Sequence, residues 1–230
     1  MRKRAALIFL WTVSACGGQE PPPRAPETAP QPAPPKPSMQ VRGELGSVDP
    51  GDVKRVFHTL DDQFLACEKR GVERVEVLSG SVKFFLRIGE NGAAKWAYLE
   101  DSDLGDRATE HCLLEALMTT RWPRPDGGEA EARYAMDLPL QSTRPPNDWD
   151  EERVATAVSA DREAIETCKN GSRVNFRATL YVGPHGHVLS AGVATSGRAD
   201  EEADCLAVVL KKLKGLPSPG SWPAKVTFGL

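Results

Sequence analysis

Residues 81–123 read SVKFFLRIGENGAAKWAYLEDSDLGDRATEHCLLEALMTTRWP, and this block decides the fold. Val82, Phe84, Leu86 and Ile88 alternate with Lys83, Phe85 and Arg87, the two-residue period of a strand that buries one face and leaves the other partly wet. Asn91-Gly92 supplies a turn able to adopt positive φ, and a second strand follows. Ser102, Asp103, Asp106 and Glu110 announce a helix, since their oxygens cap free amides and their charge suits the positive end of the helix dipole. Cys112, Leu113, Ala116 and Leu117 form the helix's apolar stripe, and Trp122-Pro123 ends it. The same order returns over residues 175–217, NFRATLYVGPHGHVLSAGVATSGRADEEADCLAVVLKKLKGLP. Adding 94 to Val82, Phe84, Leu86, Ile88 and Gly92 gives Phe176, Ala178, Leu180, Val182 and Gly186. One deletion later, adding 93 takes Cys112 to Cys205, and 94 again takes Pro123 to Pro217. Coincidence of strand, turn, cysteine and proline positions reads as tandem duplication of one small module.

The repeat extends upstream. Val53, Val56, Leu60, Phe64 and Cys67 recur at helical spacing, and Val154, Val158, Ile165 and Cys168 do so again, each stripe running 14 residues (67−53 and 168−154) and ending on a cysteine. Between that cysteine and the hairpin the first copy has 13 residues (68–80) and the second only six (169–174); an added edge strand and a plain loop both fit the excess. Residues 132–140 and 225–230 read as closing strands. Each copy is therefore helix, hairpin, helix, strand, which predicts an α+β fold of two tandem modules, 47–141 and 147–230. In each, two helices pack on one side of a three-stranded antiparallel sheet.

The N-terminus is of another kind. Met1-Arg2-Lys3-Arg4 is a cationic start, residues 5–13 are a short apolar stretch, and Val13-Ser14-Ala15-Cys16 follows, the pattern of a cleaved signal over 1–15. Nine apolar-leaning residues are too few to span a bilayer, which takes about 20. The four residues VSAC resemble the bacterial lipobox, and the resemblance implies that Cys16 becomes the lipidated first residue of the mature chain. Acyl chains contribute ~0.8 kcal/mol per buried methylene, so two or more anchor stably to a membrane. Gly17 stands where the enteric inner-membrane retention signal has Asp, which by analogy favours the outer membrane, facing the periplasm. Residues 16–46 then read as a disordered Pro-rich tether with too little apolar surface to offset its ordering entropy. At ~3.1 Å per residue in polyproline II, it would hold the folded part up to roughly 90 Å from the lipid.

Charge and motif searches narrow the function. A net charge of −3 with no basic run beyond the N-terminus argues against nucleic acid. There is no G-x-S-x-G, H-E-x-x-H, P-loop or dinucleotide fingerprint, so the expectation is a chain that is not an enzyme and takes no cofactor. His111 precedes Cys112, and His185 and His187 flank Gly186 on a turn, but no Cys-x2-4-Cys pair accompanies them, and no metal site is expected. The acidic run 100–103 lacks the ligand order of a calcium loop and is explained by the helix start. A metal- or ligand-binding lipoprotein and an unrecognised hydrolase are the alternatives.

A Gly-turn hairpin, a Ser-containing loop into Cys-Leu-x-x-Ala-Leu, and Arg-Trp-Pro-x-Pro together resemble the TonB C-terminal superfamily, and more closely its cysteine-bearing AgmX/PglI C-terminal branch, known from envelope proteins of gliding bacteria. In that branch one Cys ends the first helix and another lies in the second, as Cys67 and Cys112 do; the second copy keeps both cysteines but has Leu216 in place of Trp122. Five cysteines less Cys16 leave four in a secreted compartment, and Cys67–Cys112 with Cys168–Cys205 is the connectivity a duplication predicts. The resemblance also implies recognition of an envelope partner by strand addition to a sheet edge. The expected contact positions are Ala132, Arg133 and Tyr134, and Val226, Thr227 and Phe228, with Phe85, Tyr181 and Trp149 read as exposed nearby. A lipid anchor in place of a transmembrane helix argues against energy transduction and for a tethered adaptor or scaffold in an envelope assembly, such as one for motility or secretion.

Overall fold

The computed structural model describes residues 40–42 and 46–230; the expected signal segment, Cys16 and most of the tether lie outside the described residues. The fold is α+β, with six helices and two four-stranded sheets among the described residues. Its first half runs β1 (Gln40–Arg42), α1 (Pro50–Thr59), α2 (Asp61–Arg74), β2 (Gly80–Ile88), β3 (Ala94–Ser102), α3 (Arg107–Thr119) and β4 (Ala130–Leu138). The second repeats that order with β5 (Asn147–Trp149), α4 (Glu152–Ala160), α5 (Arg162–Lys169), β6 (Phe176–Val182), β7 (Val188–Thr195), α6 (Asp200–Lys211) and β8 (Ala224–Gly229). No helix among the described residues is long and apolar enough to cross a membrane.

Each expected first helix is two. The stripe from Val53 to Cys67 breaks at Leu60, which caps α1 and sits buried while Asp61 and Asp62 open α2. The stripe from Val154 to Cys168 breaks at Asp161, and both breaks fall seven residues before the cysteine (67−60 and 168−161). Acids at the new N-termini suit the dipole there, so the kink leaves the apolar face continuous. Past Cys67 the excess residues are neither edge strand nor plain loop: α2 continues to Arg74 before a short connection that buries Val75, Val77 and Leu78. In the second half α5 stops one residue after Cys168, at Asn170 in the left-handed conformation (φ 49°).

The hairpins close in the same way. Gly89 N donates to Ala93 O and Gly183 N to His187 O, both at 2.8 Å. Gly92 and Gly186 carry φ of 77° and 71°, and a Cβ on either would lie within 2.4 Å of a backbone oxygen, that of Trp122 or Leu216. Glycine is required twice over there. Val82, Phe84, Leu86 and Ile88 point into the first core and Phe176, Ala178, Leu180 and Val182 into the second.

The sheets are wider than the expected three strands. Strand orders are β1-β4-β2-β3 and β5-β8-β6-β7, so the closing strands are interior. β1, from residues read as tether, pairs antiparallel with β4 (Gln40 opposite Arg133, Arg42 opposite Glu131). β5 pairs parallel with β8 (Asn147 opposite Ala224, Trp149 opposite Val226). Three-residue strands with no apolar alternation are held by backbone bonds that almost any residue can make, which is why composition does not announce them.

The two halves pack into one body through the outer face of the second sheet. Tyr181 and Ala194 of that face belong to the core of the first half. The face expected to be partly wet is thus an internal interface, and Tyr181, read as exposed, is fully buried.

Candidate functional site

Outward positions explain the asymmetry between the sheets. Where the first sheet carries Phe85, Arg87, Trp96 and Tyr98, the second carries Thr179, Tyr181, Ser190 and Gly192 at positions 94 further on. Bulky and charged residues on the first sheet make a largely covered ladder of ion pairs: Lys83 and Arg133 meet Glu100, and the buried Arg87 meets Glu129 and Glu131. Phe85, expected to be exposed, stacks on Tyr98 at 4.8 Å beneath the Arg133 guanidinium and is buried. Small residues on the second sheet let the first half come close. A Cβ on Gly192 would lie 2.3 Å from Glu110 Oε1 and 2.9 Å from the Gly105 Cα, so backbone meets backbone there.

A buried polar cluster closes this contact. Asp106 caps α3 by accepting from Thr109 N (3.1 Å), and its carboxylate also accepts from Arg74 and, across the interface, from Ser190 Oγ (2.6 Å). Burial works to raise the Asp106 pKa, but hydrogen bonds from Arg74, Ser190 and Thr109 outweigh it and hold the carboxyl below its ordinary range. Glu110, one turn on and fully buried, accepts from Ser102 Oγ (3.0 Å) and from Val193 N of the second half (3.1 Å). Burial dominates there and raises its pKa, against the pull of Arg107. Arg107 crosses to α6, with Nε 2.6 Å from Asp204 Oδ1 and a further contact to Asp200.

At the other end of the interface Tyr181 Oη accepts from Ser79 N (3.1 Å) and donates to Ser79 O (2.9 Å), and burial pushes its pKa up to about 12. Tyr181→Phe would orphan the Ser79 N–H, while Lys225 Nζ, 2.9 Å away, still serves Ser79 O. Loss of about 1–2 kcal/mol is expected in urea unfolding, and an unchanged midpoint would contradict the role given to this phenol.

Beside the polar cluster, α3, β7 and α6 border a cleft of about 440 Å³ lined by Arg74, Asp106, His111, Ser190, Val208 and Lys211. A second depression of about 420 Å³, lined by Trp96, Leu114, Met118 and Arg198 among others, adjoins it and shares Arg107 and His111. Both are open grooves rather than enclosed cavities.

The residues singled out from the sequence are placed as follows. Cys67 is bonded to Cys112 and Cys168 to Cys205, each bond tying the helix that leads into the hairpin to the helix after it. Ala132 and Arg133 are paired on both sides, by β1 and β2, and Val226 by β5 and β6, so these positions are not the free edges expected. Tyr134, Thr227 and Phe228 lie beyond the three-residue flanks. Trp149 is half-buried within β5, under Arg153. The acidic run is spent on ion pairs: Glu100 with Lys83 and Arg133, Asp101 with Arg177, Asp103 with Lys225. His185 and His187 stack with centroids 6.3 Å apart, and among the described residues no group of three or more His, Cys, Asp or Glu is placed to hold a metal. Comparison with protein-family models, curated proteins and solved structures found no match.

The interface residues escaped the sequence reading, although a signal was there. Ser190, Gly192 and Ala194 fall on alternate positions of one strand face, all small, where the first copy has Trp96, Tyr98 and Glu100. A strand whose outward side is small expects a close neighbour rather than solvent.

Proposed function

We propose that this chain is a lipid-anchored, non-enzymatic envelope protein whose two TonB-like halves bind a protein partner or scaffold an assembly. The reading rests on the lipobox-like VSAC, the repeated helix, hairpin, helix and strand order, and the resemblance carried by the cysteine and Trp-Pro positions. The observation that carries it furthest is that each closing strand takes an added three-residue strand from its own chain, antiparallel on β4 and parallel on β8. Edges that each accept a short added strand suit recognition by strand addition, in which backbone bonds supply affinity and side-chain pockets supply choice. Outside the three-residue flank, residues 134–138 of β4 are free of a strand partner on that side among the described residues.

Binding fits the buried polar groups better than chemistry does. The Ser190 hydroxyl already donates to Asp106, whose carboxyl is held low by its donors and is therefore a poor base. The adaptor reading is tested by placing a photo-crosslinking residue at Asp137, which is exposed on β4, in the full chain within intact cells. A crosslink to one discrete envelope protein, lost together with membrane fractionation in Cys16→Ser, is the expected result. Crosslinks only within the chain, with Cys16→Ser still sedimenting with membranes, would overturn it.

A further inference from the structure

We infer that β1 is a strap built onto the chain's own binding edge: residues 40–42 hold part of the β4 edge that a partner strand needs, and the partner binds by peeling them away. This rests on the adaptor reading above and adds a means of regulating the same edge. Four pairs join this segment to the first half, Gln40 with Arg133, Val41 with Ala132, Arg42 with Glu131 and Ser47 with Asp126, and in each the two residue numbers sum to 173. One antiparallel register therefore governs the approach, but its two ends are held differently. Ser47 and Asp126 exchange both backbone bonds (2.8 and 2.7 Å), and a Cβ on Gly46 would lie 2.6 Å from Asp126 O, so the chain is pinned there. β1 itself is three residues long, against about five or six for an ordinary strand.

Direction makes β1 an obstruction. Because it runs antiparallel to β4, the chain upstream of Gln40 leaves toward Tyr134, the first of the positions 134–138 that have no strand partner on that side among the described residues. A partner strand laid on those positions meets the chain's own tether end-on. The tether is unsuited to fill the place itself. In the same register Met39 would face Tyr134, Pro37 would face Met136 and Pro35 would face Leu138, and three of the four residues 34–37 are proline. Proline has no N–H to donate and holds φ near −65°, so this sequence stops a ladder where the free part of β4 begins.

The side chains along that part of β4 give the chemistry of the strand that replaces the strap. Tyr134 and Met136, alternate residues, are half-buried and pack against the first core, with Tyr134 stacked on Phe57 at 4.1 Å. An extended, proline-free segment with apolar side chains two residues apart continues this face and completes the ladder that the tether cannot, so it outcompetes three residues of β1. β5 allows no such exchange. It leads through two residues into α4, its Asn147 Nδ2 donates to Pro219 O (3.0 Å), and Trp149 packs on the second core. The strap therefore belongs to the first sheet.

The test compares crosslinking from position 137 in intact cells for three full-length chains: the native one, Gln40→Pro/Val41→Pro, and Val41→Cys/Ala132→Cys. Neighbouring N–H groups of a strand point to opposite sides, so the double proline removes a bond to β4 whichever of the two makes it. The cysteine pair lies directly opposed and locks β1 in place once oxidised, which thiol labelling of the denatured chain verifies. Crosslinks to the discrete partner should rise about threefold or more with the prolines and fall about tenfold with the lock. Should the locked chain fail to fold in a circular dichroism melt, native against double proline decides alone. Equal yields in all chains overturn the strap and leave the adaptor reading standing. A yield that falls with the prolines makes β1 part of the docking surface and overturns the strap as well. No discrete partner in any chain removes both readings.

Discussion

Cys67→Ser/Cys112→Ser and Cys168→Ser/Cys205→Ser are each expected to lower the unfolding free energy by about 4 kcal/mol, and together to leave the chain largely unfolded at room temperature. The bonds close loops of 45 and 37 residues, and a cross-link over such a loop removes roughly this much free energy of conformational freedom from the unfolded chain. Both join helices already in contact, with Cα separations of 5.8 and 5.4 Å, so the native state needs no displacement to form them. They lie in different halves with no shared neighbour, and their effects should therefore add. The sum, ~8 kcal/mol, rivals the entire 5–15 kcal/mol typical of a folded domain. Urea titration of the oxidised chain against each double variant measures the two terms separately. Losses below about 1 kcal/mol apiece would mean that the unfolded chain is already compact enough for the bonds to add little.

How far the fold could be read ahead of the structure depends on what leaves a mark on composition. The α+β class and the positions of the hairpins are legible because burial imposes alternation on Val82–Ile88 and its copy, and because Gly92 and Gly186 sit where no Cβ fits. The helix break is not legible. Leu60 keeps the apolar period through the kink, and neither Gly nor Pro marks it. The flanking strands β1 and β5 leave no mark either, because three residues bonded through their backbones impose no pattern on side chains. The candidate site between the halves was hidden for a different reason. It depends on which faces of two similar halves meet, and a duplication read as two equal copies hides the substitutions that set them apart. Ser190, Gly192 and Ala194 opposite the bulkier Trp96, Tyr98 and Glu100 carried that information. Similarity draws attention to what the copies share, whereas the interface lies in what they do not.

Glu110 should make stability fall as pH rises, and Glu110→Gln should abolish that fall. Its carboxyl is fully buried, and burial raises its pKa in the folded chain above the ordinary value near 4.5 that it regains on unfolding. Below 4.5 both states hold the proton and the full contribution is present. Above it the unfolded chain gives up the proton first, so the folded state binds more, and stability declines by up to about 1.4 kcal/mol per pH unit until the native group ionises as well. Asp106, held below its ordinary range, works the other way: its contribution is present above pH 3.8 and lost as pH falls through its lower folded value. Asp200, also raised mainly by burial, shares the downward trend, so the comparison must be between the native chain and the variant. A glutamine keeps an oxygen for Val193 N and turns its amide to Ser102, whose hydroxyl can accept. Glu110→Gln should therefore match the native chain near pH 4.5 and exceed it at pH 7 in urea unfolding. Glu110→Ala removes the acceptor and leaves the Val193 N–H and the Ser102 hydroxyl buried at an interface with no room for relaxation, which should cost about 3 kcal/mol at either pH. Parallel pH profiles for the native chain and the glutamine variant would show that this carboxyl already ionises freely, and the interface would then have to be wetter than its packing indicates.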